Sequence, residues 1–233
     1  MTTPPPKTSD LAVRTASAVV MIAVAGTALW LGGWWWTVFV GLIAAGILWE
    51  WMALVRGFAL PVLAGALWTF AGVVYVGVAT AMLLYLRTPM VPVSAIATIL
   101  AAVIATDVGA YFAGRTIGGP KIAPAISPSK TWAGLIGGAI ASAATVAALT
   151  VAWRTPGDLA PPGIPLEALA IGIAIAIIAQ TGDFFESWMK RRAGVKDSGR
   201  LLPGHGGLFD RMDGLLAVMA AGGLLFLLAG VWA

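Results

Sequence analysis

Apolar runs at residues 15–32, 34–55, 58–86, 90–114, 132–153, 166–189 and 213–233 constrain this chain more than any other feature. Each is long enough to cross a bilayer, which takes about 20 apolar residues as a helix. A backbone in hydrocarbon must satisfy its own polar groups, so helices are the natural way to span. In a chain of 233 residues that is 60% hydrophobic and 10% charged, these runs predict an all-α, polytopic transmembrane helical bundle with about seven spans. The run at 58–86 is ambiguous, because it fits one tilted helix or a short re-entrant piece followed by a helix. Lys7 and Arg14 resemble the basic flank of a cleaved signal peptide. The apolar core after them is too long for one, so we expect an uncleaved first helix.

Loop charge decides the count and the orientation. With seven spans and a cytoplasmic N-terminus, the inner regions hold Lys7, Arg14, Arg56, Arg115, Lys121, Lys130, Lys190, Arg191, Arg192, Lys196, Arg200 and Arg211, and the outer regions only Arg87 and Arg154. Such a bias is the signature of correct topology. It also explains the net charge of +4 without nucleic acid. The organisation expected is a polar tail at 1–14, an N-terminal transmembrane region at 15–114 and a C-terminal catalytic region at 115–233, all in one membrane domain. Two basic cytoplasmic loops, 115–131 and 190–212, form the site. The outer stretch TPGDLAPPGIPLE reads as a connector. Cysteine is absent, which excludes disulfides, thiolate metal sites and cysteine nucleophiles.

Of the 24 charged side chains, eleven lie between Asp183 and Asp213, together with the only histidine, His205. A charge near the centre of a spanning helix costs about 2.5–3.5 kcal/mol on insertion scales, so acids in apolar runs are functional candidates. Glu50 sits near the inner end of its run beside Arg56, where snorkelling or pairing accounts for it. Asp107 opens DVGAYFAGR, with Tyr111 and Arg115 following on the same helical face. Asp183 and Glu186, at i and i+3, share a face that Lys190 continues. Asp210 and Asp213 repeat the i, i+3 spacing at the start of the last helix. Helix capping alone would explain acids there, but not the glycines and histidine just before them. Gly204, Gly206 and Gly207 let backbone N–H groups approach a ligand closely.

Two carboxylate pairs at one membrane boundary suit a hard divalent cation such as Mg²⁺. One histidine and no cysteine do not suit zinc. Lys190, Arg191, Lys196, Arg200 and Arg211 carry the charge to hold phosphate oxygens. Acids for metal and bases for phosphate point to phosphoryl or nucleotidyl transfer. In the other cytoplasmic loop, APAISPSKTW places Ser127, Ser129, Lys130 and Thr131 just before a helix expected from about Trp132. That arrangement makes an anion site at a helix N-terminus, or an ordinary cap with an interfacial anchor.

The stretch SWMKRRAGVKDSGRLLPGHGGLFDRMD, Ser187 to Asp213, resembles the signature of the phosphatidate cytidylyltransferase (CDP-diacylglycerol synthase) family. Its fixed positions are met by Ser187, Lys190, Arg191, Lys196, Asp197, Pro203, His205, Gly206, Gly207, Asp210, Arg211 and Asp213. DVGAYFAGR and SPSKTW resemble the family as well, so the likeness covers roughly residues 100–233. It implies an integral membrane enzyme that joins CTP and phosphatidic acid into CDP-diacylglycerol and pyrophosphate, with Mg²⁺ as one ion or two. It also implies a homodimer in the plasma or inner membrane, with its active site on the cytoplasmic side. On this reading Asp183, Asp210 and Asp213 hold metal, and Asp107 is a further ligand or a lysine partner. Lys190, Arg191, Lys196 and Arg211 hold triphosphate or lipid phosphate, with Gly206 and Gly207 at the substrate. Ser127, Ser129 and Lys130 form the opposite wall, and His205 acts as an acid/base or positioning group. Ala133 stands where relatives are expected to carry Glu, and the N-terminal half matches in hydropathy only.

Overall fold

The computed structural model describes residues 8–154, 163, 165–202 and 206–230. Seven helices follow one another as α1 (Thr8–Leu31), α2 (Gly33–Gly57), α3 (Val62–Tyr85), α4 (Val93–Thr116), α5 (Trp132–Ala152), α6 (Leu166–Arg192) and α7 (Phe209–Leu228). Among the described residues, the six helices α2 to α7 are long and apolar enough to cross a membrane, while the apolar part of α1, Thr15–Leu31, is shorter. The chain is a multi-pass membrane bundle built almost wholly of helices. The tail before Thr8, most of the connector at 155–167, and Pro203, Gly204 and His205 lie outside the described residues.

Prolines set several helix starts. Pro61 precedes α3 with extended backbone (φ −53°, ψ 151°), and Pro92 and Pro165 precede α4 and α6 in the same way. Proline lacks the N–H that would continue a preceding helix, so the chain begins a new one after it. The ambiguous run at 58–86 therefore holds one helix, α3, with no re-entrant piece.

Two expectations change. The last helix begins at Phe209, not 213, which brings Asp210 and Asp213 into its first turns. The loop at 115–131 contains a hairpin, β1 (Lys121–Ala123) and β2 (Ser127–Thr131), pairing antiparallel with Lys121 opposite Thr131 and Ala123 opposite Ser127. Strands this short show no readable alternation. Thr131 ends β2 and caps α5, its hydroxyl accepting from Gly134 N at 3.1 Å.

Apolar attraction between helices is weak in lipid, so close packing of small residues carries much of the contact. Gly109 of α4 lies against Gly137 of α5, where an added Cβ would stand 2.7 Å from the Gly137 carbonyl oxygen. An aromatic block joins α2, α3, α6 and α7: Trp51 packs with Trp68, Tyr75, Phe185 and Phe209, and its Nε1 donates to Trp68 O at 2.9 Å. Exposed apolar side chains such as Leu63, Phe70, Ile104 and Ile140 form the lipid-facing exterior. Contacts from α2 to the start of α7, and from α6 to the hairpin, gather the C-terminal halves of α2 and α6, the start of α7 and the hairpin at one end of the bundle.

Candidate active site

Asp183, Glu186 and Lys190 form one stripe along α6, about 3–14 Å from its C-terminal end at a rise of ~1.5 Å per residue. Opposite them, α7 comes unusually close. A Cβ on Gly182 would stand 2.5 Å from both the Asp213 carbonyl oxygen and Ala217 Cβ. This glycine lets Asp213 approach Asp183. Oxygens of Asp183, Glu186 and Asp213 lie within 4.8 Å of one another.

Asp210 is not in that group, although it was expected beside Asp213. Its Oδ1 accepts from Lys190 Nζ at 2.7 Å. Its Oδ2 accepts from Ser198 N at 2.9 Å, Ser198 Oγ at 3.0 Å and Gly207 N at 2.8 Å. The glycine N–H expected to reach a ligand thus meets a carboxylate of the protein itself. Lys190 also pairs with Glu186 Oε2 at 2.6 Å, while Glu186 Oε1 is buried and has no hydrogen-bond partner among the described residues. An orphaned carboxylate oxygen beside two further carboxylates calls for a cation. An all-oxygen donor set suits Mg²⁺ in particular.

Two cavities adjoin at these acids. One, of about 290 Å³, is lined by Asp107, Asp183, Glu186, Lys190, Asp210, Arg211 and Asp213. The other, of about 460 Å³, has Tyr111, Arg115, Ser129, Lys130 and Gln180 in its lining and is bounded by the same Asp107 and Asp183. Lys130 ion-pairs with Asp183 and rests over the Phe184 ring at 4.6 Å. Arg115 Nη1 donates to Tyr111 Oη at 2.9 Å. Ser129 and Lys130 line the larger cavity, and Lys130 reaches across it to α6.

Other expected residues lie elsewhere. Ser127 is buried and lines neither cavity. Arg191 donates from Nε to Ile126 O at 3.4 Å, against the hairpin. Lys196 is exposed and lines neither cavity. Gly206 has φ +85°, and its carbonyl accepts from Leu202 N at 3.0 Å. Gln180 and Ser198 were not anticipated; both are buried polar residues. Glu50 does not snorkel beside Arg56 but is 2% exposed and accepts from Ser198 Oγ, Leu208 N and Phe209 N at 3.1, 3.0 and 2.8 Å. Its one legible signal was an acid inside an apolar run.

Residues 58–228 match the model of the cytidylyltransferase family. The chain belongs to that family. As a cytidylyltransferase family member it is a nucleotidyltransferase, and its relatives are consistent in name. A phosphatidate cytidylyltransferase of Brucella suis biovar 1 (strain 1330) is 42% identical over 211 residues, covering 87% of this chain and 74% of the relative. One of Rickettsia bellii (strain RML369-C) is 30% identical over 227 residues, covering 96% and 93%. One of Bacillus subtilis (strain 168) is 44% identical over 124 residues, covering 53% and 43%. A nucleotidyltransferase must bring two substrates to one centre, and here two cavities share Asp107 and Asp183.

Proposed function

We propose that the chain transfers CMP from CTP to phosphatidic acid, yielding CDP-diacylglycerol and pyrophosphate in phospholipid biosynthesis. A phosphate oxygen of phosphatidic acid forms a bond to the α-phosphorus of CTP. The bond from that phosphorus to the bridging oxygen breaks, and its electron pair leaves with pyrophosphate. The observation that carries the reading is the convergence of Asp183, Glu186 and Asp213 where the two cavities meet, in a chain whose relatives bear that enzyme name.

Asp183, Glu186 and Asp213, with Asp107 across the cavity, are the residues that would hold Mg²⁺. Bound there, the cation supplies charge neutralisation on the attacking and leaving oxygens. Lys190 pairs with Glu186 Oε2 and with Asp210, and leaves Glu186 Oε1 without a partner among the described residues. Lys130 and Arg115 offer cationic donors to phosphate from the larger cavity, and Arg211 does so from the smaller. Arg191 and Lys196 serve as an outer rim that attracts the triphosphate. Residues 15–114 and 115–233 act as one domain, since Asp107 joins the catalytic acids. The excess of Lys and Arg in two loops favours a cytoplasmic active site.

The test uses purified protein in detergent or liposomes with phosphatidic acid, Mg²⁺ and labelled CTP. The expected products are a CDP-lipid and an equimolar amount of pyrophosphate. Wild-type protein that forms neither, or an Asp213→Asn variant that forms both at the wild-type rate, refutes the reading.

A further inference from the structure

Glu50 is a carboxylate in α2 that lines neither cavity of the site, yet it is almost wholly buried. Its partners explain why. The first N–H groups of a helix have no intrahelical acceptor, and Leu208, at the N-cap of α7, provides no side-chain cap. Glu50 takes that role from another helix: Oε1 accepts from Leu208 N and Oε2 from Phe209 N. A negative group at this position also complements the helix dipole. Ser198 Oγ lies 3.1 Å from Glu50 Oε2 and 3.0 Å from Asp210 Oδ2, so one hydroxyl joins the two carboxylates.

The glycines of the loop fit the same arrangement. A Cβ on Gly199 would run into the Glu50 carboxylate, and a Cβ on Gly207 would stand 2.8 Å from Glu50 Oε2 and 2.7 Å from Gly199 N. Gly199 and Gly207 close around a side chain that approaches from α2. Asp213 lies one turn beyond Phe209 and Asp210 immediately after it. Whatever fixes the first turn of α7 therefore fixes where both aspartates meet α6.

We infer that Glu50 is a positioning residue for nucleotidyl transfer: it clamps Ser198, Leu208 and the start of α7, and so holds Asp210 and Asp213 in register with Asp183, Glu186 and Lys190. Its effect on turnover rests on the activity proposed above; its effect on the loop does not. Glu50→Ala removes every acceptor, and Glu50→Gln keeps the shape but replaces one acceptor oxygen by a donor. Ser198→Ala removes only the bridge. The experiment combines steady-state kinetics with hydrogen exchange of the Leu208 and Phe209 amides, on detergent-solubilised protein that elutes as wild type.

Because small misplacements at a reacting centre cost up to ~100-fold, kcat is expected to fall by about that factor in Glu50→Ala and by less in Glu50→Gln. The KM for CTP should stay within about threefold, as for a group that does not bind substrate. Amide exchange at Leu208 and Phe209 should quicken in the same order, and Ser198→Ala should leave it near wild type. If Glu50→Ala does not fold, Glu50→Gln carries both measurements. Unchanged exchange in the Glu50 variants overturns the inference, as does wild-type kcat or a loss confined to KM. If wild type makes no CDP-lipid, the proposed reaction fails while the exchange measurement still decides whether the clamp exists.

Discussion

Gly182→Ala isolates the helix approach on which the acidic centre depends. The added methyl would sit 2.5 Å from the Asp213 carbonyl oxygen and 2.5 Å from Ala217 Cβ. Carbon contacts are most favourable at about 3.5–4.0 Å, so α6 and α7 must separate by roughly 1 Å. Overpacking of this kind costs about 1–3 kcal/mol, and alanine returns about 1 kcal/mol through its better helix propensity. The net loss of stability is thus about 0–2 kcal/mol, and the variant should fold. Activity should suffer far more, since a 1 Å displacement at a reacting centre costs up to ~100-fold. The assay pairs initial rates of CDP-lipid formation with the apparent melting temperature in detergent. Adding Ala217→Gly should restore only part of the rate, because it removes one of the two clashes and leaves the Asp213 carbonyl in place. Full activity in Gly182→Ala would falsify the claim that close α6–α7 contact sets the distance between Asp183 and Asp213.

Other perturbations have equally direct expectations. Lys190→Ala leaves Glu186 and Asp210 without their shared cation, so it should destabilise by about 3–5 kcal/mol, seen as a large fall in melting temperature together with lost turnover. Thr131→Ala removes the cap of α5 and should cost about 1 kcal/mol, whereas Thr131→Ser should melt as wild type. Tyr111→Phe removes the hydroxyl held by Arg115; since both line the larger cavity, we expect a changed KM for one of the two substrates with an unchanged melting temperature, and the reverse pattern would count against a role in substrate binding. Chelation with EDTA should abolish turnover and added Mg²⁺ should restore it, as rate measurements through one depletion and repletion cycle will show.

The helices were legible because about 20 consecutive apolar residues admit few other structures in a membrane. The stripe of Asp183, Glu186 and Lys190 was legible for a related reason: within one helix, spacing alone fixes the face. Spacing failed for Asp210, which shares an i, i+3 relation with Asp213 but is drawn by Ser198 and Gly207 toward the loop. The hairpin was hidden because strands of three and five residues leave no periodic trace. Glu50 was hidden for a deeper reason. Its partners are main-chain N–H groups 158 and 159 residues away, and every non-proline residue carries such a group, so no residue type marks them.

All the acids and bases that line the two cavities gather at one end of the bundle, on α4, α6, α7 and the hairpin. Among the described residues, the opposite ends of these helices contribute none. The bundle therefore has a fixed end and a tolerant end. A bilayer that thickens or thins by a few ångströms can be met there by lengthening, trimming or tilting the helices. The same catalytic head is thereby suited to membranes of different thickness without retuning its chemistry.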